Sequence, residues 1–219
     1  MNLAKQGRAD EAIEELMEDL TRSPGHASGW YTMATVLDKS EKDLPAFLAY
    51  SRFLTIEPQS ERAKTAADRL WPLLFRRVTT NKKPGEAVVP DSGAVGVTIT
   101  EPPGKSEKES ADILALSIVA ASRYLEEWKD KTDAEFFAHA FETAATISDE
   151  LSAKDKRRSF WTPLVHDYFR QAKEKGLIEA MAYEIRRPTG DAETLKWLGG
   201  HKEAADAYRA WSKDWEPAR

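Results

Sequence analysis

A set of apolar and proline positions in the first third of the chain recurs at an interval of 34 residues. The members of the two sets correspond one to one: Ala12, Leu16, Leu20 and Pro24, then Ala46, Tyr50, Leu54 and Pro58. An interval of this length fits one helix–turn–helix unit, which can bury its apolar side only against a neighbouring unit. Pro58 would end the second helix, because proline has no backbone N–H to continue the hydrogen-bond ladder. The period therefore predicts a stack of helical hairpins at the start of the chain.

The residues within the interval resemble the tetratricopeptide repeat (TPR), a helix–turn–helix unit of about 34 residues. Large Trp30 is followed by small Ala34, and Ala46 supplies a small residue in the second helix. Small side chains let two helices approach closely, while large ones fill the seam between them. The resemblance extends over residues 1–77, and we assign TPR-like helical repeats to residues 1–78.

Two features depart from the family pattern. Phe53 stands where the family usually has alanine, and Met1 falls about eight positions into the first unit of the repeat. Because this unit lacks most of its first helix, Ile13, Leu16 and Leu20 are expected to form an open apolar seam. One hypothesis is that the chain is the remainder of a longer repeat protein. The other is that the seam docks a partner or a second copy of the chain.

The resemblance implies a function in protein–protein interaction, since repeats of this family bind peptides or helices on the concave face formed by their first helices. Counting from Trp30, the positions on that face are Ser28, Tyr31, Thr35, Asp38, Arg62, Thr65 and Arg69. We therefore expect a non-catalytic scaffold or adaptor that binds a protein or peptide partner. Tyr31 would contact apolar side chains of the partner, and Arg62 and Arg69 would pair with its acidic groups.

The composition changes after the repeats, and this change predicts two further parts. Residues 79–108 contain four prolines and four glycines, and we predict a connector with short strands at 87–89 and 95–100. Residues 109–219 are predicted to form an all-α domain of antiparallel helix pairs. One helix is predicted at 111–129, and a second begins after the capping box at Thr132. Further helices are predicted at 162–175, 178–186, 191–198 and 202–215. The predicted fold class is mainly α.

The segment ITEPPGKS, residues 99–106, ends like a nucleotide-binding P-loop. That motif requires a glycine five residues before Gly104, where this chain has Ile99. The two prolines before Gly104 have no N–H to offer a phosphate. Four polar residues also separate the motif from the next apolar period, whereas a P-loop leads directly into a helix. We predict an exposed turn here and no nucleoside triphosphatase activity.

Composition excludes several other classes of site and partner. The chain has no cysteine, so thiol catalysis and Cys-ligated zinc are excluded, and its four histidines lack a helical metal-binding spacing. No metal and no cofactor is predicted. The net charge is −5 with acids and bases intermixed, which favours neither a nucleic-acid nor a membrane partner. The expected location is the cytoplasm, or the periplasm or exterior if an upstream signal peptide has been lost.

The alternative function is an enzyme or a small-ligand binder with its pocket in the C-terminal helical part. His139, His166 and nearby acids would be its candidates. His139 lies among phenylalanines, so a core or half-buried histidine is the expectation there. Asp167 follows His166, but neighbours on a helix point about 100° apart and form no dyad by sequence alone. The basic cluster at 154–158 is interpreted as a solvated connection between helices.

Overall fold

The computed structural model describes residues 8–80, 97–100, 106–152 and 158–217, and these residues are predominantly helical. The predicted mainly-α class is confirmed. The helices are α1 (Ala9–Arg22), α2 (Ala27–Lys39), α3 (Asp43–Ile56), α4 (Glu61–Phe75), α5 (Glu107–Ala121), α6 (Asp133–Ser152), α7 (Arg158–Trp161), α8 (Asp167–Glu174), α9 (Ile178–Arg186), α10 (Ala192–Gly200) and α11 (Lys202–Asp214). Single turns of 3-10 helix occur at Ser122–Tyr124, Glu126–Trp128 and Arg187–Thr189.

Helices α1 to α4 form successive hairpins over the segment with the repeated interval. Trp30 is fully buried, and its indole N–H donates to the Pro24 carbonyl at 2.8 Å, which ties α2 to the turn before it. Gly29 allows a close approach between α1 and α2, because a Cβ at this position would lie 2.9 Å from Leu20 Cδ2. Pro72 lies inside α4, which continues to Phe75 rather than ending at the proline.

The expected open seam at the N-terminus is wrong for two of its three residues. Ile13 and Leu20 are buried by the chain itself, and Leu16 is partly buried against the same core. The short approach at Gly29 brings α2 over Leu20, so the described helices supply the cover that the sequence pattern did not locate.

Two helix starts are fixed by capping boxes. At α5, the Glu109 N–H donates to Ser106 Oγ at 3.3 Å, and the Ser106 N–H donates to Glu109 Oε2 at 3.1 Å. The helix therefore begins directly after Ser106, four residues before the predicted start at residue 111. The capping box predicted at Thr132 is confirmed by the reciprocal bonds with Glu135, at 3.1 and 2.8 Å.

The short sheet pairs β1 (Val78–Thr80) with β2 (Val97–Ile99) in antiparallel register, with Val78 opposite Ile99. Strand β2 lies within the predicted strand 95–100. Its partner β1 was not predicted, although it is a run of β-branched residues at the boundary drawn between the repeats and the connector. The strand predicted at 87–89 lies outside the described residues, as do Gly104 and Lys105.

The helix predicted to start with Thr162 as its cap begins earlier. Helix α7 starts at Arg158 and continues through a π-helical turn, Thr162–His166, into α8. The Thr162 hydroxyl is buried without a hydrogen-bond partner, so it does not cap a helix. Pro163 explains the widened turn, because a proline inside a helix clashes with the carbonyl four residues earlier. Gly176 ends α8 with a positive φ of 68°, at the predicted position.

The C-terminal helices pack on α3, and the hydrophobic core continues across both parts of the chain. Eleven of the fourteen residues of α3 are buried. The ring of Phe47 lies 6.1 and 6.0 Å from the rings of Phe137 and Phe141 on α6, and Trp30 lies 5.7 Å from Phe160 on α7. The helices of residues 8–75 and those of residues 106–217 therefore bury one another.

Ala46 offers a direct test of this packing, because it lies in α3 and has no exposed surface. We expect Ala46→Leu to lower the free energy of unfolding by about 1–3 kcal/mol through overpacking. The matched control is Ala204→Leu at an exposed position on α11, which should change it by less than about 0.5 kcal/mol. Denaturant unfolding of the two variants makes the measurement, and equal stabilities would contradict the close packing around Ala46.

Candidate functional site

The predicted partner-binding residues lie on two neighbouring helices, α2 and α4. Arg62 Nη1 on α4 donates to Ser28 Oγ on α2 at 3.0 Å. Further along the same pair of helices, Arg69 Nη2 donates to Asp38 Oδ2 at 2.7 Å. The two bonds hold the helices side by side and bring the predicted residues to one face. We call this surface the α2/α4 face, and it comprises Ser28, Tyr31, Thr35, Asp38, Arg62, Thr65 and Arg69.

Tyr31 is the aromatic residue of the α2/α4 face and is half-buried. Its ring contacts Phe53 edge-on with centroids 5.2 Å apart, and the Arg62 guanidinium lies 5.6 Å from the Tyr31 ring centroid. The Thr35 hydroxyl donates to the Tyr31 carbonyl at 2.8 Å. Phe53, which departs from the family's usual alanine, supports the Tyr31 ring from below. Ser28 and Thr65 are exposed on the same two helices.

Both arginines of the α2/α4 face already have carboxylate partners within the chain. Arg62 Nη2 and Nε donate to the two oxygens of Glu57 at 2.6 and 3.2 Å. Hydrogen bonds from Ser60 and Arg62 lower the pKa of Glu57. Arg69 donates to Asp38 through Nε and Nη2, at 3.0 and 2.7 Å. A partner carboxylate would therefore have to displace an internal one, and the pairing of these arginines with a partner's acidic groups stays a prediction.

Asp38 is the one buried member of the α2/α4 face, and together with Asp43 it forms the acidic centre of an ion-pair network. Both carboxylates are buried, and Asp38 accepts from Arg76 as well as from Arg69. Asp43 accepts from Arg76 at 2.6 Å and from Arg77 at 3.0 Å. Burial alone would lower the pKa of Arg76, but the hydrogen bonds and charges of the two aspartates outweigh it and raise that pKa. Asp38 thus joins α2 to the end of α4 and is part of the scaffold.

A cavity of about 450 Å³ lies where the turn after α3 meets α9 and α11. We call it the Arg52 cavity. Its lining residues are Gly25, Arg52, Leu54, Thr55, Ile56, Pro58, Gln59, Glu184, Arg187, Tyr208, Arg209, Ser212, Lys213 and Trp215. Both the turn next to the repeats and the C-terminal helices contribute to the wall.

Arg52 is a nearly buried cation in the wall of this cavity. It is only 6% exposed, and its guanidinium lies 4.4 Å from the ring centroid of Tyr168 and 4.8 Å from that of Trp215. Nη1 donates to Thr55 Oγ1 at 2.9 Å, whereas the buried Nε has no hydrogen-bond partner. No carboxylate within the described residues pairs with it. Burial lowers the pKa of Arg52, while the hydroxyls of Tyr168 and Tyr208 oppose that change.

Three further cations and one carboxylate complete the polar wall of the Arg52 cavity. Glu184 is buried and accepts from Arg209 Nη2 and Nε at 2.6 and 3.0 Å. Arg187 Nη1 lies 3.3 Å from the other oxygen of Glu184. Lys213 makes no ion pair with any described residue. Glu184 is the single carboxylate among the described residues of the wall and is paired with two arginines, so these residues carry an excess of positive charge.

A second cavity, of about 490 Å³, lies between α6 and α8 and is lined in part by His166, Asp149, Glu142 and Lys173. His166 is 3% exposed. Its Nε2 lies 3.1 Å from Ser148 Oγ, and its Nδ1 lies 3.4 Å from Asp149 Oδ1. The π-helical turn presents His166 to this pair of residues. Sequence reasoning missed both partners, because they precede the histidine by 17 and 18 residues and lie on another helix.

The other sequence candidates do not join this arrangement. Asp167 pairs with Arg170 at 2.6 Å, in agreement with the expectation that it forms no dyad with His166. His139 is exposed and its ring lies against Trp128, tilted by 32° with centroids 4.6 Å apart, so the expectation of a core or half-buried histidine is incorrect. Within the described ranges, no three His, Asp or Glu side chains are grouped so that they could hold a metal ion. Most of the basic cluster at 154–158 lies outside the described residues.

No protein-family model, no curated protein and no solved structure matches this chain. The TPR assignment therefore stays a prediction from the repeated interval. Of the helices in the described ranges, none is both long enough and apolar enough to cross a lipid bilayer.

The structure gives Asp38 and Thr65 different roles, although both were predicted as partner-binding residues. Asp38→Ala removes the carboxylate partner of Arg69 and one of the two carboxylate partners of Arg76, and should lower the free energy of unfolding by about 2–3 kcal/mol. Thr65→Ala, at an exposed position of the same face, should change it by less than about 0.5 kcal/mol. Denaturant unfolding at neutral pH makes the comparison. A stability loss for Thr65→Ala equal to that for Asp38→Ala would contradict the assigned roles.

Proposed function

We propose that this protein is a non-catalytic scaffold or adaptor that binds a partner peptide or helix through the α2/α4 face, as in the TPR-like arrangement indicated by its sequence. The observation that carries the proposal is the alignment of the predicted residues along one pair of helices. Tyr31 lies half-buried on this face, and Ser28 and Thr65 are exposed beside it. Since α3 is enclosed by the C-terminal helices, the side of the repeats formed by α2 and α4 is the side open to a partner.

The chemistry of the face defines the kind of partner. The Tyr31 ring and the aliphatic part of Arg62 offer an apolar contact, and the hydroxyls of Ser28 and Thr65 offer hydrogen bonds. A partner acid would exchange for Glu57 on Arg62, so its charge would replace an existing ion pair rather than add a new one. Such exchange favours specificity and a fast on-rate more than high affinity. The expected ligand is a short segment with an apolar anchor next to an acidic residue.

A peptide-display selection on the intact chain tests this proposal. Peptides selected on the wild type should bind Tyr31→Ala about tenfold or more weakly, because buried aromatic anchors carry most of the energy of such interfaces. Thr65→Arg should weaken the same peptides by blocking the face without touching the core. The control is Leu195→Ala, which removes an exposed apolar side chain from α10.

Two results would count against the α2/α4 face as the binding site. One is a set of selected peptides that bind wild type, Tyr31→Ala and Thr65→Arg equally. The other is a loss of binding in Leu195→Ala as large as that in Tyr31→Ala. Each variant is first checked by thermal unfolding, and Thr65→Arg decides the matter if Tyr31→Ala proves unstable.

A second candidate function, acyl transfer, is favoured by the contacts of His166 with Ser148 and Asp149. A serine, a histidine and an acid in this order are the components of a nucleophilic site. Against it, Ser148 lies within α6, where backbone N–H groups serve the helix and leave no donors for an oxyanion. The contacts also give the buried histidine the hydrogen-bond partners that any buried polar group requires.

A fluorophosphonate probe separates the two functions. The scaffold proposal expects no labelling of Ser148 in the intact protein, whereas acyl-transfer chemistry would give labelling that disappears in Ser148→Ala. His166→Gln is the companion variant: it should abolish labelling in an enzyme, and should only lower stability if the histidine is structural.

A further inference from the structure

The α3 arginine, Arg52, is a buried charge whose hydrogen bonds are incompletely satisfied. Transfer of a cation out of water is costly unless it is paired, and buried charges in proteins normally have a carboxylate or a metal site as partner. Arg52 has two aromatic rings and one threonine hydroxyl instead. Cation–π contacts of this kind recover part of the lost hydration. These contacts do not use the N–H donors, which lie in the plane of the guanidinium. Among the described residues, only Nη1 donates a hydrogen bond, to Thr55 Oγ1.

The unsatisfied arginine lies on a cavity of the right size to hold a ligand. At about 450 Å³, the Arg52 cavity falls within the range of small-molecule sites, roughly 300–1,000 Å³. Arg187, Arg209 and Lys213 line it together with Arg52, and Glu184 is the only acidic residue among its described lining residues. Because Glu184 is already bound by two arginines, Arg52 and Lys213 are the cations of the wall that remain without a counter-charge among the described residues.

The uncharged part of the wall is mixed: Thr55, Gln59, Tyr208 and Ser212 add polar groups, and the rest is largely apolar. Trp215 places its ring over the guanidinium, and Leu54, Ile56 and Pro58 border the same space. An inorganic anion would use the cations but none of this surface. A ligand with an anionic head and a small apolar or planar body would use both.

We propose that the Arg52 cavity binds a small organic anion, whose carboxylate or phosphate group is held by Arg52 with Lys213 and Arg187 and whose body lies against Trp215 and Pro58. Carboxylate and phosphate share the geometry that a guanidinium recognises. The cavity shares no lining residue with the α2/α4 face, so this inference does not rest on the proposed function.

Calorimetric titration of the intact protein with phenyl phosphate, benzoate and inorganic phosphate tests the proposal. We expect saturable binding of phenyl phosphate or benzoate, and weaker binding of inorganic phosphate because it lacks the apolar body. The stronger of the two organic probes identifies the head group. Lys213→Gln and Arg187→Gln should each weaken that probe about tenfold or more, since each removes a charged hydrogen-bond donor. The control is Arg170→Gln, an exposed arginine of α8 outside the cavity, which should leave binding unchanged.

Arg52→Met is the decisive variant. It should abolish binding while the protein stays folded with equal or higher stability, because an apolar side chain replaces a buried charge without a carboxylate partner. If Arg52→Met fails to fold, the Lys213→Gln and Arg187→Gln titrations decide. The proposal is overturned if neither organic probe binds in the millimolar range. It is also overturned if both bind the pocket variants and Arg170→Gln with the same affinity as wild type.

Discussion

Helix α3 carries apolar side chains around its whole circumference, so two neighbouring hairpin helices cannot bury it. Eleven of its fourteen residues are buried in the folded chain. A helix of this kind is stable only in the middle of a structure, with packed elements on all sides. Helices α2 and α4 cover one side, while α5, α6, the π-helical turn and α9 cover the other. Because α3 is apolar on most sides, its burial requires the C-terminal helices. The side of α1 to α4 that stays open is then the α2/α4 face.

The enclosure of α3 also buries polar residues of that helix, and their hydrogen-bond and ion-pair partners differ from one residue to the next. Asp43, at its start, is neutralised by Arg76 and Arg77 from the end of α4. Ser51 donates to the Phe47 carbonyl of its own helix at 2.8 Å. Arg52 is the exception, with a buried Nε that has no partner and no carboxylate at hand among the described residues. Most buried polar groups in folded proteins have a hydrogen-bond partner, so the buried Nε of Arg52 requires an explanation of its own.

The sequence could predict the features that depend on local spacing. The repeated interval placed the hairpins, the Thr132 capping box placed the start of α6, and Gly176 placed the end of α8. These features are local because a cap or a left-handed turn is decided within a few residues. The π-helical turn at Thr162 escaped prediction because threonine followed by proline is also a typical helix start.

The candidate sites depended on contacts between distant residues, which the sequence could not place. Tyr31 and Arg62 followed from the repeat pattern, but the internal partner Glu57 did not, because the turn that carries it had no assigned conformation. Arg52 meets Tyr168 and Trp215 from the far end of the chain. In the sequence, Arg52 is a single arginine inside an apolar helix. That pattern does not distinguish an arginine that extends to solvent from one that lines a cavity.

The most direct test of this account is whether the two parts of the chain hold together without a covalent link. A protease site introduced between Lys82 and Lys83, within the segment 81–96, allows the folded protein to be cut there. The shared core around α3 predicts that the two fragments elute together in size-exclusion chromatography and unfold in one denaturant transition. Fragments that separate, each with a transition of its own, would contradict the enclosure of α3 by the C-terminal helices.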